Sequence, residues 1–121
     1  MPSKQRVQDL VSLVERGEFL QAFEEFYDDD VVMQENAQPA TAGKAANRER
    51  EKAFVGSIET IHENRAGAVM VDGDRVAIRW QAEYTFRGGA RMRFDQVAYQ
   101  EWRGDRIVSE RFYYDPASLA A

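Results

Sequence analysis

Two glutamates sit where a carboxylate is expensive to keep. Glu35 shares one face of a short strand-like segment with Val31 and Met33, and Glu110 shares a face with Val108, Phe112 and Tyr114. Ionised carboxyls are seldom buried without a partner, so Glu110 is paired, raised in pKa, or a sign that its strand faces the other way. A carboxyl whose proton affinity is lifted by an apolar setting can serve as a general base at neutral pH. Glu35 and Glu110 are therefore the candidate catalytic residues. The bland alternatives are loop amides of residues 37–43 for Glu35, and a structural hydrogen bond with Gln96 or a tyrosine hydroxyl for Glu110.

Around them stand residues suited to hold a flat, apolar small molecule: Trp80, Tyr84, Phe54, Met33, Tyr27, Ile58 and Tyr114, with Gln96 as an orienting amide. The same residues would serve as ordinary core. His62, the single histidine, falls at the edge of the same stripe, where the alternative is a partly exposed helix-terminal side chain. Other chemistries are excluded by composition. The absence of cysteine removes thiol nucleophiles, disulfides and thiolate metal sites, and one histidine argues against a multi-histidine zinc site. No metal and no cofactor are expected. With 16 basic and 21 acidic residues the net charge is −5, the wrong sign for a nucleic-acid partner. No apolar run reaches the roughly 18–20 residues of a membrane span, and Met1 to Arg6 is polar. The expectation is a single cytoplasmic domain over residues 1–121.

The elements that must position these groups are legible in outline. Val7, Leu10, Val11 and Val14 recur at helical spacing, which predicts a helix over roughly residues 4–16 with Ser3 as N-cap and Gly17 as stop. Phe19, Phe23 and Phe26 predict a second, short helix that ends at the acidic run Asp28-Asp29-Asp30, where three carboxylates oppose the helix dipole. A short strand follows over 31–36, then a loop over 37–43. A third helix is expected over about 45–62, with Phe54, Ile58, Ile61 and His62 inward and the run Arg48 to Lys52 as a solvated face with local ion pairs.

Strands follow over 65–71, 76–86, 91–102 and 106–114. The clearest alternation is Val76, Ile78, Trp80, Ala82, Tyr84 and Phe86. In the next strand the even positions carry four apolar residues of six and the odd positions two of six, so even faces inward. A strict two-residue turn at Gly88-Gly89 would face the odd set inward instead, which predicts a bulge near that turn. Helices first and a long meander second means an α+β fold.

This order of elements resembles the SnoaL-like group of the nuclear-transport-factor-2-like superfamily, which includes polyketide cyclases and ketosteroid isomerases. The local signatures are Leu13 to Glu18, Phe26 to Val31, Pro39 through Lys44, Arg103 to Ile107, and Phe112 to Asp115. The resemblance implies a cystatin-like cone: a strongly curved antiparallel mixed sheet wrapped around three N-terminal helices, with a ligand cavity at its open end. It also implies a homodimer through the outer sheet face, here Arg79, Glu83, Arg93, Asp95, Val97 and Tyr99. The general base of ketosteroid isomerases falls near Glu35, allowing one inserted residue. Their oxyanion-hole tyrosine falls near Leu10 and their protonated aspartate on Ala98, neither of which donates a hydrogen bond, so the usual steroid isomerisation is not expected. The epoxide-hydrolase members need an arginine between two carboxylates, and Arg79 alternates outward. In the polyketide cyclases an acid–base histidine and aspartate work near the cavity; Asp115 lies in the aspartate's region, but Arg111 stands where a histidine would be wanted. The resulting expectation is a pocket for a small apolar molecule with isomerase- or cyclase-like acid–base chemistry; the alternative is a non-catalytic dimeric ligand-binding or accessory module.

Overall fold

The computed structural model describes residues 1–120. It contains α1 (Lys4–Glu15), α2 (Phe19–Phe26), β1 (Tyr27–Glu35), β2 (Thr41–Ala42), α3 (Lys44–Ser57), β3 (Ile58–Asp72), β4 (Arg75–Phe86), β5 (Arg91–Arg103) and β6 (Arg106–Tyr113). Ser3 caps α1, its Oγ accepting from the Arg6 N–H at 3.0 Å. Gly17 ends the helix at φ +80°, and a Cβ there would come within 3.0 Å of Ile61 Cδ1. Both the backbone conformation and the close approach therefore call for glycine. Val7, Leu10, Val11 and Leu13 of α1 pack with Ala22, Phe23 and Phe26 of α2 into one core with Val76, Ile78, Trp80, Ala98, Trp102 and Ile107 of the sheet.

The sheet has six strands in the order β2-β1-β6-β5-β4-β3. All neighbours are antiparallel except β1 and β6, which run parallel. The α+β class and the three helices stand, but the cone-like, strongly curved sheet does not. The sheet is open, with β3 as one free edge and the two-residue β2 as the other. Closure would need those edges to pair, and a two-residue strand offers almost no ladder for it.

Two boundaries differ from the sequence expectation. The second helix stops at Phe26, before the acidic run, and β1 starts at Tyr27 because it finds a partner there: Tyr27 pairs with Ile107. The third helix stops at Ser57. Ile58, Ile61 and His62 lie on β3, where Ile58 pairs with Phe86 and Ile61 with Tyr84. Phe54, Ile58 and Ile61 mimic helical spacing, but Gly56 weakens the helix and the β-branched Ile58, Thr60 and Ile61 favour the strand. Three register irregularities along β3 blur its alternation. The extra residue needed at the Gly88-Gly89 turn lies in the loop itself. Phe86 N–H donates to Ala90 C=O at 2.7 Å around Arg87, Gly88 and Gly89, and the ladder runs unshifted from Thr85↔Arg91 to Arg75↔Glu101. Even residues of β4 thus face even residues of β5. Beyond the reach of β6, a short tail continues that side of β5: Met92 bridges Ala120, and Arg93 N–H donates to Leu119 C=O at 2.8 Å.

Candidate functional site

Strand alternation and one helix face converge on a cavity of about 360 Å³. Inward positions of the sheet contribute Met33 and Glu35 of β1, Trp80 and Tyr84 of β4, Phe94, Gln96 and Gln100 of β5, and Glu110 and Phe112 of β6. Phe19 and Phe23 line it from α2, and Asn47, Glu51 and Phe54 from α3. Tyr84 is the hub of the aromatic wall, with ring centroids 5.8 Å from Phe54, 5.8 Å from Phe94 and 6.3 Å from Phe19. Its hydroxyl donates to Asn64 Oδ1 at 3.1 Å, and burial first, then the charge of Glu51, raises its pKa.

Glu110 is 1 % exposed and both its oxygens are occupied. The Tyr27 hydroxyl donates to Oε1. Gln100, its cross-strand partner, donates through Nε2 to Oε2 at 2.6 Å and is itself held by Trp102 Nε1, which donates to Gln100 Oε1 at 3.0 Å. Burial raises the Glu110 pKa to about 7 against the lowering effect of these two hydrogen bonds. Burial and the adjacent Glu110 carboxyl push Tyr27 well above its ordinary value, so the phenol stays protonated and remains the donor. Of the alternatives weighed for Glu110, the structure shows both a partner and a raised pKa. The amide partner is Gln100 rather than Gln96.

Glu35 lies at the cavity mouth, its side chain 40 % exposed. Arg50 Nη2 approaches its Oε2 at 3.4 Å, and the Tyr114 hydroxyl donates to Oε1 at 3.2 Å. Tyr27, Met33, Phe54, Trp80, Tyr84 and Gln96 are all on the cavity wall. Ile58, His62 and Tyr114 are not. His62 is exposed on β3, its Nε2 2.7 Å from Thr85 Oγ1, and Tyr114 reaches the site only through Glu35.

One carboxyl of the site escaped the sequence reading. Glu51 belongs to the run taken as a solvated face, yet it lines the cavity, and its pKa is raised to about 7 by burial first and then by the charges of Glu110 and Glu35. The signal that finds it is the spacing Asn47, Glu51, Phe54, positions i, i+4 and i+7 of one helix face. Among the described residues no group of three or more His, Cys, Asp or Glu side chains is placed to hold a metal ion. No helix among them is long and apolar enough to cross a membrane.

The comparisons agree with this architecture. A SnoaL-like protein from Mesorhizobium loti, classed with the polyketide cyclases, is similar at 26% identity and TM-score 0.82, over 94% of this chain and 100% of that one. An LEH-like epoxide hydrolase of M. tuberculosis shares the fold at 16% identity and TM-score 0.77, covering 95% of this chain and 84% of its own. So does the epoxide hydrolase/cyclase-like enzyme SalBIII, linked to pyran ring formation in the polyether salinomycin, at 20% identity and TM-score 0.79, covering 98% and 94%. No curated protein matches the chain in sequence. The model of the SnoaL-like domain matches residues 1–114. With that match, and with a cavity between three helices and an open mixed sheet, the chain belongs to the SnoaL-like domain family, and it shares its fold with isomerase-, cyclase- and hydrolase-like proteins.

Proposed function

We propose that this protein is an enzyme performing proton-transfer chemistry, an isomerisation or cyclisation, on a small apolar molecule held in the cavity. The observation that carries this reading is Glu110: a carboxyl 1 % exposed, on the cavity wall, with a pKa of about 7. Near neutral pH both of its protonation states are populated, which is the condition for efficient acid–base work. Trp80, Tyr84 and Phe54 supply flat apolar contact area, Gln96 offers an amide to a polar substituent, and Met33 and Tyr27 complete the wall. Glu35, exposed at the mouth and tied to Arg50 and Tyr114, meets the substrate on entry. The cyclase- and epoxide-hydrolase-like neighbours support the same class of chemistry.

A suitable probe is 5-nitrobenzisoxazole, a flat apolar molecule that opens to a coloured nitrophenolate when a base removes its single acidic C–H proton. The protein should turn it over, with a rate that rises with pH through about 7. Binding seen as quenching of Trp80 emission, without turnover, would favour the second reading, a ligand-binding module. That reading draws its support from the two donors already occupying the Glu110 oxygens. In either case the protein is a homodimer through the outer sheet face, where Val97 and Tyr113 are register partners and stand 40% and 45% exposed.

A further inference from the structure

Glu51 is the cavity carboxyl that, among the described residues, has no side-chain hydrogen bond. The helix face that carries it is fixed on either side. Asn47, one turn earlier, donates to Thr41 C=O and Gly43 C=O, each at 2.9 Å, and Phe54, one turn later, packs its ring 5.8 Å from that of Tyr84. Glu51 is thus held at the cavity wall by its neighbours while its own oxygens stay free. The other two carboxyls are engaged. Tyr27 and Gln100 occupy the oxygens of Glu110, and Arg50 and Tyr114 those of Glu35. Hydrogen bonds donated to a carboxylate stabilise its charged form and so lower its basicity towards a C–H proton.

We propose that Glu51 is the group that takes the proton from the bound molecule, and that Glu110, on the wall of the same cavity, is a positioning residue that acts through it. This rests on the acid–base reading of the cavity given above. In the step, the substrate C–H bond breaks, the proton passes to a Glu51 carboxylate oxygen, and the C–H electron pair forms the new π bond or expels the leaving group. The proton returns to a second carbon of the product or to solvent, so no oxidant or reductant is required. The charges around Glu51 suit this role. Burial first, then the Glu110 and Glu35 carboxylates, raise its pKa to about 7, and Arg50, its neighbour on α3, opposes them. The remaining titratable groups that feel its charge are the Tyr27 and Tyr84 hydroxyls, both held neutral. Ionisation of Glu110 therefore makes Glu51 a stronger base, and the two carboxyls lose their protons in succession.

The test uses 5-nitrobenzisoxazole with the whole chain and two isosteric variants, each checked for an unchanged tryptophan emission spectrum. Glu51→Gln should lower kcat by at least about 100-fold, the usual yield of a positioned base, with KM little changed. Glu110→Gln should keep turning the probe over, but its pH–rate limb should move to lower pH, because the charge that raised Glu51 is gone. A merely structural Glu110 would not move that limb. A Glu51→Gln variant as active as the unaltered protein would overturn the inference and leave the acid–base reading standing on Glu110. An inert Glu110→Gln variant would overturn the positioning role. An unaltered protein that leaves the probe intact across the neutral range would overturn the reading itself and this inference with it.

Discussion

At the scale of the residue, the cost of the site shows in its proton balance. The Glu110 carboxyl has a pKa of about 7 in the fold against an ordinary value of 4.5. Between those values the folded protein binds a proton that the unfolded chain has released. Stability from this group is therefore fully present below about pH 4.5, falls as pH rises towards 7, and then levels off. The fall amounts to roughly 3 kcal/mol. Urea unfolding of the protein and of Glu110→Gln across this range should show a steeper decline in the first than in the second, where Glu51 alone remains to lose its proton. The slope is the informative quantity, because glutamine also sets its own amide against the Gln100 Nε2 donor or flips it against Tyr27, and so lowers stability at every pH. A decline of equal slope in both would mean that Glu110 does not titrate in this range. Glu51, raised to a similar value, acts in the same direction.

At the scale of the element, α3 is what brings Glu51 to the cavity, and Asn47 is what seats α3. Its Nδ2 donates to Thr41 C=O and Gly43 C=O and lies 3.4 Å from Val31 C=O, so one side chain joins β1, β2 and the start of the helix. Asn47→Ala removes this shared donor, while Val31 C=O keeps the Gly43 N–H at 2.8 Å and Gly43 C=O the residue 47 N–H at 3.2 Å, so stability should fall by about 1–2 kcal/mol. Thermal or urea unfolding would register that loss, and an unchanged midpoint would show that water replaces the amide without penalty. Legibility in the sequence divides along the same lines. Helix α1 was readable because its cap, its apolar stripe and its glycine stop all agree, and β4 because it alternates over its whole length. The boundary after α3 was not, since Phe54, Ile58 and Ile61 keep helical spacing across it and only pairing with β4, with its register shift after Ile58, overrides that. Glu35 and Glu110 stood out against apolar neighbours on their strands. Glu51 was hidden in a charged run whose helical face, rather than its composition, determines where each side chain goes.

At the scale of the molecule, the charged outer face is closed within one chain. Arg79 meets Asp95 through two bonds of 2.9 and 2.7 Å. Glu83, buried between Arg93 and Arg91, is held below the usual carboxylate range by both guanidiniums. The partners of these charges lie on the neighbouring strand of the same sheet, as cross-strand geometry favours. What the face offers a second copy is apolar, Val97 beside Tyr113, with the Arg111 guanidinium 4.8 Å from the Tyr113 ring centre. The proposed dimer should therefore resist added salt and dissociate in Val97→Glu. Sedimentation velocity would decide, and a monomer before mutation would end the proposal.

The tail at Leu119 and Ala120 adds something different. From Val97 to Glu101, strand β5 is laced on both sides by full strands, β4 and β6. From Arg91 to Gln96 its second side is held by the tail alone, through the Met92–Ala120 bridge and the Arg93 N–H bond to Leu119. A contact of two residues opens far more readily than a sheet comes apart. The strand that carries Phe94 and Gln96 into the cavity thus has two tiers of solvent protection. The Arg93 amide belongs to the tier that exchanges its hydrogen whenever the Leu119–Ala120 contact opens, while the amides from Val97 to Glu101 wait for the sheet itself to open.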